Sequence, residues 1–257
     1  MNTALITGAS SGIGKELAHI HASNKGDLVL VARSEDKLQE LKAELQGQYG
    51  VQVYVFACDL SASGAAERVW NFTSQASIDI DILINNAGFG VYGRFQETDK
   101  DRTDEMIRLN ITALTELTWY FLRDMTTRNR GRILNVASTA GFQPCPWFAS
   151  YAAAKSYVIN FSQAVADELA SNPATRGITV TAYCPGATET GFSSAAAMEH
   201  SGLFSKRRNP GPVEVAQDAY RKMMQGKSLA IHGWLYNFLI FSQRFTPRNM
   251  VIFVTRK

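Results

Sequence analysis

The sequence predicts an α/β fold in which a doubly wound parallel sheet carries helices on both faces. Short apolar runs alternate regularly with segments of helical period up to residue 186, the pattern of parallel strands joined by right-handed crossovers. The runs are continuously apolar, as in Asp27-Leu28-Val29-Leu30-Val31-Ala32, which is how strands buried on both faces read. The first run ends in a glycine-rich turn that leads directly into a helix. No Pro/Ser-rich linker, repeat or low-complexity tract interrupts this stretch. One domain is therefore expected over 1–257, with 187–257 as its variable part.

Residues 3–7 form the first β-type run, followed by Gly8-Ala9-Ser10-Ser11-Gly12-Ile13-Gly14 and a helical pattern with Ile13, Leu17 and Ile20 on one face. A strand, a glycine turn and a helix start let the backbone approach a pyrophosphate, which then sits at the helix N-terminus. The spacing is G-x-x-x-G-x-G, not G-x-G-x-x-G, so the expectation rests on the strand–turn–helix context. The second strand, 27–32, ends at Ala32-Arg33-Ser34. At that tip an acidic residue would accept a bond from an adenosine ribose 2′-hydroxyl, whereas an arginine suits a 2′-phosphate. Arg33 therefore points to NADP(H) over NAD(H), with an exposed loop arginine as the alternative reading.

Ser34 can cap the next helix, with Glu35 and Asp36 in its first turn and Leu38, Leu41 and Leu45 on its apolar face. A third strand (51–56) leads to Cys58-Asp59-Leu60, and a helix is expected over 62–76. A fourth strand (81–84) runs into Asn85-Asn86-Ala87-Gly88, a small-residue turn that lets the chain pass close to a ligand. A long helix over 100–127 carries Asn110 on the face of Met106, Ala113 and Leu117, where a polar side chain needs hydrogen-bond partners.

The fifth strand (131–137) ends at Ser138-Thr139, at the carboxyl edge where open parallel sheets bind ligands. The helix over 150–170 buries Val158, Phe161, Val165 and Leu169 and opens with Tyr151-Ala152-Ala153-Ala154-Lys155. A tyrosine and a lysine four residues apart share one helix face. A fixed ammonium near a phenol favours the phenolate, so the tyrosine pKa is expected to fall towards neutrality, where it can exchange a proton with a carbonyl or a hydroxyl. Taken alone, the pair also describes an amphipathic helix with an exposed lysine. The sixth strand (177–183) ends at Cys184-Pro185-Gly186. Beyond it, 187–211 read as a loop with short helices, 212–224 as a helix starting at Pro212 and 229–231 as a seventh strand. The tail 234–257 is aromatic and basic, broken at Pro247.

Composition narrows the function classes. Apolar residues make up 46%, enough for a substantial core. A net charge of +3, with Lys206-Arg207-Arg208 as the one tight basic run, carries no nucleic-acid signature. Cys58, Cys145 and Cys184 are widely spaced, and His19, His21, His200 and His232 lack a ligand spacing, so neither a disulfide framework nor a metal is expected. The N-terminus has no basic n-region or long apolar core, and no run approaches the roughly 18 apolar residues of a spanning helix. A cytoplasmic protein is the expectation, with peripheral membrane contact by the tail left open.

Thr7-Gly8-x-x-x-Gly12-Ile13-Gly14, Asp59-Leu60, Asn85-Asn86-Ala87-Gly88, Asn110, Ser138, Tyr151-x-x-x-Lys155 and Pro185-Gly186 occur in this order, and the chain resembles a short-chain dehydrogenase/reductase over about residues 3–190. The resemblance implies a single-domain Rossmann fold with a seven-stranded parallel sheet in the order 3-2-1-4-5-6-7. It implies Tyr151 as general acid/base, Lys155 as its electrostatic partner and holder of the nicotinamide ribose, and Ser138 as hydrogen-bond donor to the substrate oxygen. Asn110 would hold a water in a proton relay. Gly8, Ser10, Ser11, Gly12 and Ile13 would line the pyrophosphate, with Arg33-Ser34 at the adenosine end. Asp59 and Leu60 would flank the adenine, Asn86, Ala87 and Gly88 would border the adenosine and ribose portions, and Pro185, Gly186, Thr188 and Thr190 would orient the carboxamide. Thr188 departs from the family's usual Val or Ile. The Ala-Arg-Ser end of the second strand resembles a subgroup whose members often reduce carbonyls with NADPH, and the family's pairing helices correspond to 100–127 and 150–170, implying a homodimer or homotetramer.

The expected activity is therefore NADP(H)-dependent hydride transfer on an alcohol/carbonyl substrate. A non-catalytic NADPH sensor or scaffold is the alternative, weakened by the intact Ser/Tyr/Lys set. A sugar-nucleotide epimerase or dehydratase is a third reading, disfavoured by chain length and by the glycine spacing. Phe89, Phe142, Trp147, Phe148, Phe192 and Phe204 fall in loops near the carboxyl edge and favour an apolar or acyl-type substrate, a 3-oxoacyl compound among them, with core or interface packing as the alternative reading.

Overall fold

The computed structural model describes residues 2–188 and 209–256. Thr190, Phe192, Phe204 and the basic run at 206–208 lie outside the described residues. Seven strands, β1 (Thr3–Thr7), β2 (Asp27–Ala32), β3 (Val53–Ala57), β4 (Ile82–Asn85), β5 (Gly131–Val136), β6 (Ile178–Cys184) and β7 (Leu229–Ile231), form one sheet in the order β3-β2-β1-β4-β5-β6-β7. Every pairing is parallel. Among the described residues the α-helices are α1 (Gly12–Ser23), α2 (Glu35–Tyr49), α3 (Ala65–Gln75), α4 (Lys100–Ile107), α5 (Leu114–Arg128), α6 (Ala149–Ser171), α7 (Pro212–Met224), α8 (Trp234–Ser242) and α9 (Arg248–Thr255).

The period of two along each strand divides the core into two layers. Ala4 and Ile6 of β1 and Leu28 and Leu30 of β2 pack with α1, α2 and α7, whereas Leu5, Val29 and Val31 pack with α3, α5 and α6. The continuous apolar runs are thus strands with a helical layer on each side. Strand order reverses between β1 and β4, which opens a crevice beyond their carboxyl ends.

Three elements differ from the sequence reading. The helix expected over 100–127 is interrupted by a π-helical segment, Arg108–Ala113, between α4 and α5. The wider turn bulges the backbone where Asn110 sits, as π segments often do at functional sites. α3 starts at Ala65, later than expected, because Gly64 before it is left-handed, with φ +69°. Ser34 occupies the N-cap of α2 but makes no side-chain capping bond.

Beneath the crevice a polar ladder crosses the sheet. The Asn85 amide donates to Thr118 Oγ1 (3.1 Å) and Asn135 Oδ1 (2.9 Å), and Asn135 Nδ2 donates to Ser162 Oγ (2.9 Å). These buried groups tie β4, β5, α5 and α6 together and fix the platform on which the next residues emerge.

Gly14 locks the glycine turn. A Cβ there would lie 2.3 Å from the Gly8 carbonyl oxygen and 2.5 Å from Asn86 Nδ2, and neither the backbone of the turn nor the Asn86 amide, bonded to the Thr7 and Gly8 carbonyls, can yield cheaply. Gly14→Ala is expected to cost about 3 kcal/mol by overpacking. Denaturant unfolding checks this, and an unchanged midpoint would refute the tight packing.

Candidate active site

The carboxyl ends of the strands enclose a cleft of about 860 Å³. Each segment reaches it for a local reason. The turn after β1 bends through Gly8 (φ +65°) and Gly12 (φ +55°), conformations that side-chain-bearing residues rarely adopt. It delivers Gly8, Ser10, Ser11, Gly12 and Ile13 to the wall. Ser11, the N-cap of α1, makes no side-chain capping bond, and the first turn of α1 carries no acid. That helix end therefore keeps its donors and its positive potential for an anion. Arg33 and Ser34 enter after β2, Asp59 and Leu60 after β3, Asn86, Ala87 and Gly88 after β4, and Pro185, Gly186 and Thr188 after β6.

At the β2 tip Arg33 is 63% exposed and meets Glu105 Oε1 only at 3.5 Å. Glu105 is held more closely by Arg102, at 2.6 Å, and the Arg102 guanidinium lies over the Phe89 ring. Burial pushes the Asp59 carboxyl up, but bonds from the Ser61 amide and hydroxyl, with Arg33 and Arg102 nearby, outweigh it and hold the group below its ordinary range. The tip thus pairs a weakly engaged guanidinium, a donor that fits a phosphorylated ribose, with a small, ordered carboxylate turn, an acceptor that fits an adenine amino group.

Ser138, Tyr151 and Lys155 converge in the same cleft. Ser138 caps the short turn Thr139–Phe142, its Oγ accepting from the Ala140 amide at 3.2 Å. That turn packs tightly on α6, since a Cβ on Gly141 would lie 2.7 Å from the Lys155 backbone. The close approach brings Ser138 into a hydrogen bond with Tyr151. Tyr151 is buried, its ring 4.3 Å from that of Phe148. Lys155 Nζ donates to the Val136 carbonyl at 2.8 Å and lies 5.7 Å from the Tyr151 ring centroid.

The expected fall of the tyrosine pKa is not what this geometry produces. Burial pushes the Tyr151 phenol up, opposed by the Ser138 bond. Burial also pushes the Lys155 ammonium down, to about 8. Desolvation penalises both charged forms, and it outweighs the attraction that the one-turn spacing suggests. Near neutral pH the resting pair is a neutral phenol beside an ammonium anchored on a carbonyl.

Asn110 does not line the cleft. It sits behind Gly88, where a Cβ would lie 2.7 Å from Asn110 Oδ1 and 3.5 Å from Lys155 Nζ. Its amide donates to the Phe89 carbonyl at 2.9 Å, while the buried Oδ1 has no protein partner. A buried acceptor without a protein partner is a polar group still to be satisfied.

Of the aromatic residues expected near the substrate, Phe89, Trp147 and Phe148 line the cleft and Phe142 borders a separate, smaller one. The sequence reading missed Tyr92, Arg102, Glu105, Gln143, Cys145, Tyr236 and Val254–Arg256, all on the cleft wall. Arg102 and Glu105 carry a faint signal, an i,i+3 ion pair on a helix. Tyr236 carries none: it reaches the cleft by folding the tail against Gly186, where a Cβ would lie 2.4 Å from its ring.

Comparison with known proteins bears on this arrangement. The family model described as short chain dehydrogenase matches residues 2–200. A 7beta-hydroxysteroid dehydrogenase of Collinsella aerofaciens is 32% identical over 164 residues, 64% of this chain and 62% of that protein. A very-long-chain 3-oxoacyl-CoA reductase of Pyrenophora tritici-repentis is 36% identical over 170 residues, 65% of this chain and 50% of that protein. The aligned stretch thus spans between half and two thirds of these relatives' length. Among solved structures, a short-chain dehydrogenase from Sphingobium yanoikuyae in complex with NADPH matches with a TM-score of 0.84 at 31% identity, covering 95% of this chain and 94% of that one. A 7beta-hydroxysteroid dehydrogenase structure matches with a TM-score of 0.86 at 26% identity, covering 99% and 96%.

Proposed function

The chain belongs to the short chain dehydrogenase family, and from that premise we propose that it is an NADP(H)-dependent oxidoreductase acting on an alcohol/carbonyl pair, with Tyr151 as its general acid/base. The observation that carries this reading is the convergence of Ser138, Tyr151 and Lys155 in the cleft that also holds the glycine turn and Arg33. When bound, the nicotinamide supplies or accepts the hydride, and the protein aligns and protonates.

In the reductive direction the substrate carbonyl oxygen accepts hydrogen bonds from Ser138 Oγ and the Tyr151 hydroxyl. As negative charge develops on that oxygen, Ser138 stabilises it and Tyr151 transfers its proton to it. The buried, protonated phenol suits donation to the substrate oxygen in this direction. Lys155 stabilises the phenolate left behind. A water on Asn110 Oδ1 then carries a replacement proton towards Lys155 and Tyr151. Asn110→Ala is expected to lower turnover about a hundredfold by cutting this relay, with NADPH affinity little changed. Loss of cofactor binding in equal measure would make Asn110 a purely structural residue.

Gly8, Ser10, Ser11, Gly12 and Ile13 are the proposed pyrophosphate cradle, Arg33 and Ser34 the 2′-phosphate contacts, and Asp59 and Leu60 the adenine contacts. Asn86, Ala87 and Gly88 border the adenosine and ribose portions, and Pro185, Gly186 and Thr188 the carboxamide. Pairing of chains through α5 and α6, where Trp119 and Tyr157 are exposed, is the assembly this reading favours.

The substrate is read as an apolar or acyl-type carbonyl. Phe89, Tyr92, Trp147 and Phe148 give the cleft an aromatic wall. The relatives named for hydroxysteroid and 3-oxoacyl-CoA chemistry support the same class. Loss of reduced-nicotinamide absorbance over a panel of ketones, aldehydes and 3-oxoacyl thioesters tests it. Bulky apolar ketones or acyl thioesters should rank first, and a preference for small polar aldehydes would contradict the substrate class.

A further inference from the structure

We propose that α8, the short turn after it and α9 form a docking surface for an anionic lipid bilayer. Both helices carry large apolar side chains on their outer side. Trp234, Phe238, Phe241 and Phe245 follow helical spacing along one face, and all are exposed, Trp234 by 80% and Phe245 by 78%. Met250, Phe253 and Val254 continue the exposed apolar surface on α9. The inner side is held to the cleft wall partly by polar contacts: Thr255 Oγ1 donates to the Pro144 carbonyl at 2.8 Å, and the Gln243 and Gln143 side chains are bonded to each other. A surface helix normally turns its apolar stripe to the core, and an outward stripe of this extent marks a binding face.

Charge selects the occupant. No Asp or Glu follows Asp218 in the sequence, whereas Arg244, Arg248 and Arg256 punctuate the apolar stretch. Arg244 lies over the Phe241 ring. Arg248 opens α9, an end where the helix macrodipole disfavours a cation. A second copy meeting this face about a two-fold axis would set arginines against arginines with no carboxylate from the tail between them. An anionic bilayer supplies the missing charge through its headgroups and takes the aromatic side chains at the acyl boundary. Among the described residues no helix is long and apolar enough to cross a membrane, so the contact lies in the interface. Val254, Thr255 and Arg256 also border the large cleft, which sets its mouth beside the docked surface. The inference does not rest on the oxidoreductase reading, since it is measured without turnover.

The test is flotation of the purified full chain with phosphatidylcholine vesicles, with and without phosphatidylserine, at low salt. The bound fraction should rise about tenfold with phosphatidylserine. Phe238→Ser with Phe245→Ser should remove binding to both vesicle types while leaving NADPH affinity and far-ultraviolet circular dichroism unchanged, because both residues lie outside the cleft. Arg244→Gln with Arg248→Gln should erase the preference for the anionic vesicles. Three results would overturn the proposal: no flotation, equal binding to neutral and anionic vesicles, or a dimer in sedimentation velocity that the serine variant dissociates while vesicles bind neither form.

Discussion

Tyr151→Phe loses turnover by about a thousandfold or more and leaves NADPH affinity within about twofold of the parent. The substitution removes one hydroxyl from a buried ring packed against Phe148 and preserves the ring's volume, so the core around it should not move. What disappears is the proton donor and its bond with Ser138. Ser138 and Lys155 remain, and the charge developing on the substrate oxygen keeps one hydrogen bond but cannot be neutralised. Single-turnover rates with NADPH separate chemistry from binding. Retention of more than about a tenth of the rate would make Tyr151 a wall residue and not the acid.

Arg33→Ala weakens NADPH binding by about 10- to 100-fold and changes NADH binding little. The Arg33–Glu105 contact is long and solvent-exposed, so it contributes little to stability and gives way to a phosphate dianion. Charge-assisted bonds from a guanidinium to phosphate are worth about 1.5–3 kcal/mol, and each 1.4 kcal/mol is about tenfold in affinity. Removing Arg33 also leaves Glu105 near the same tip, where its charge would repel a 2′-phosphate but not a hydroxyl. Titration of both cofactors against both proteins gives the comparison. Equal losses for NADPH and NADH would place Arg33 outside the discriminating contacts.

Much of this molecule is legible before its structure, and the boundary is physical. The sheet and its two layers follow from local patterning, since period two in Ala4-Leu5-Ile6 and the apolar run 28–32 already assign each side chain to a face. Gly8, Gly12 and Gly14 are readable because positive φ and close backbone approach leave few other residues possible. Asn110 stands out because a polar group on an apolar helix face demands a partner, although the π segment that bulges it has no sequence period of its own. The direction of the Tyr151 pKa is not legible in the spacing. Spacing identifies the ammonium one turn away but says nothing of burial, and burial decides the direction for both groups. Tyr236 against Gly186 is a contact between segments far apart in the chain, which no local pattern encodes. The same holds for the outward aromatic face of α8: its residues read as a helix, but only the fold reveals which side faces solvent.

The most direct test of the central claim is transfer of label from NADPH deuterated at its transferable position. An apolar ketone that is turned over should yield an alcohol carrying the deuterium on the former carbonyl carbon, and Tyr151→Phe should form almost no alcohol in the same time. NADPH that binds without net oxidation across the whole carbonyl panel, or an oxidised cofactor with no deuterium on that carbon, would contradict hydride transfer and bring forward a cofactor-binding sensor.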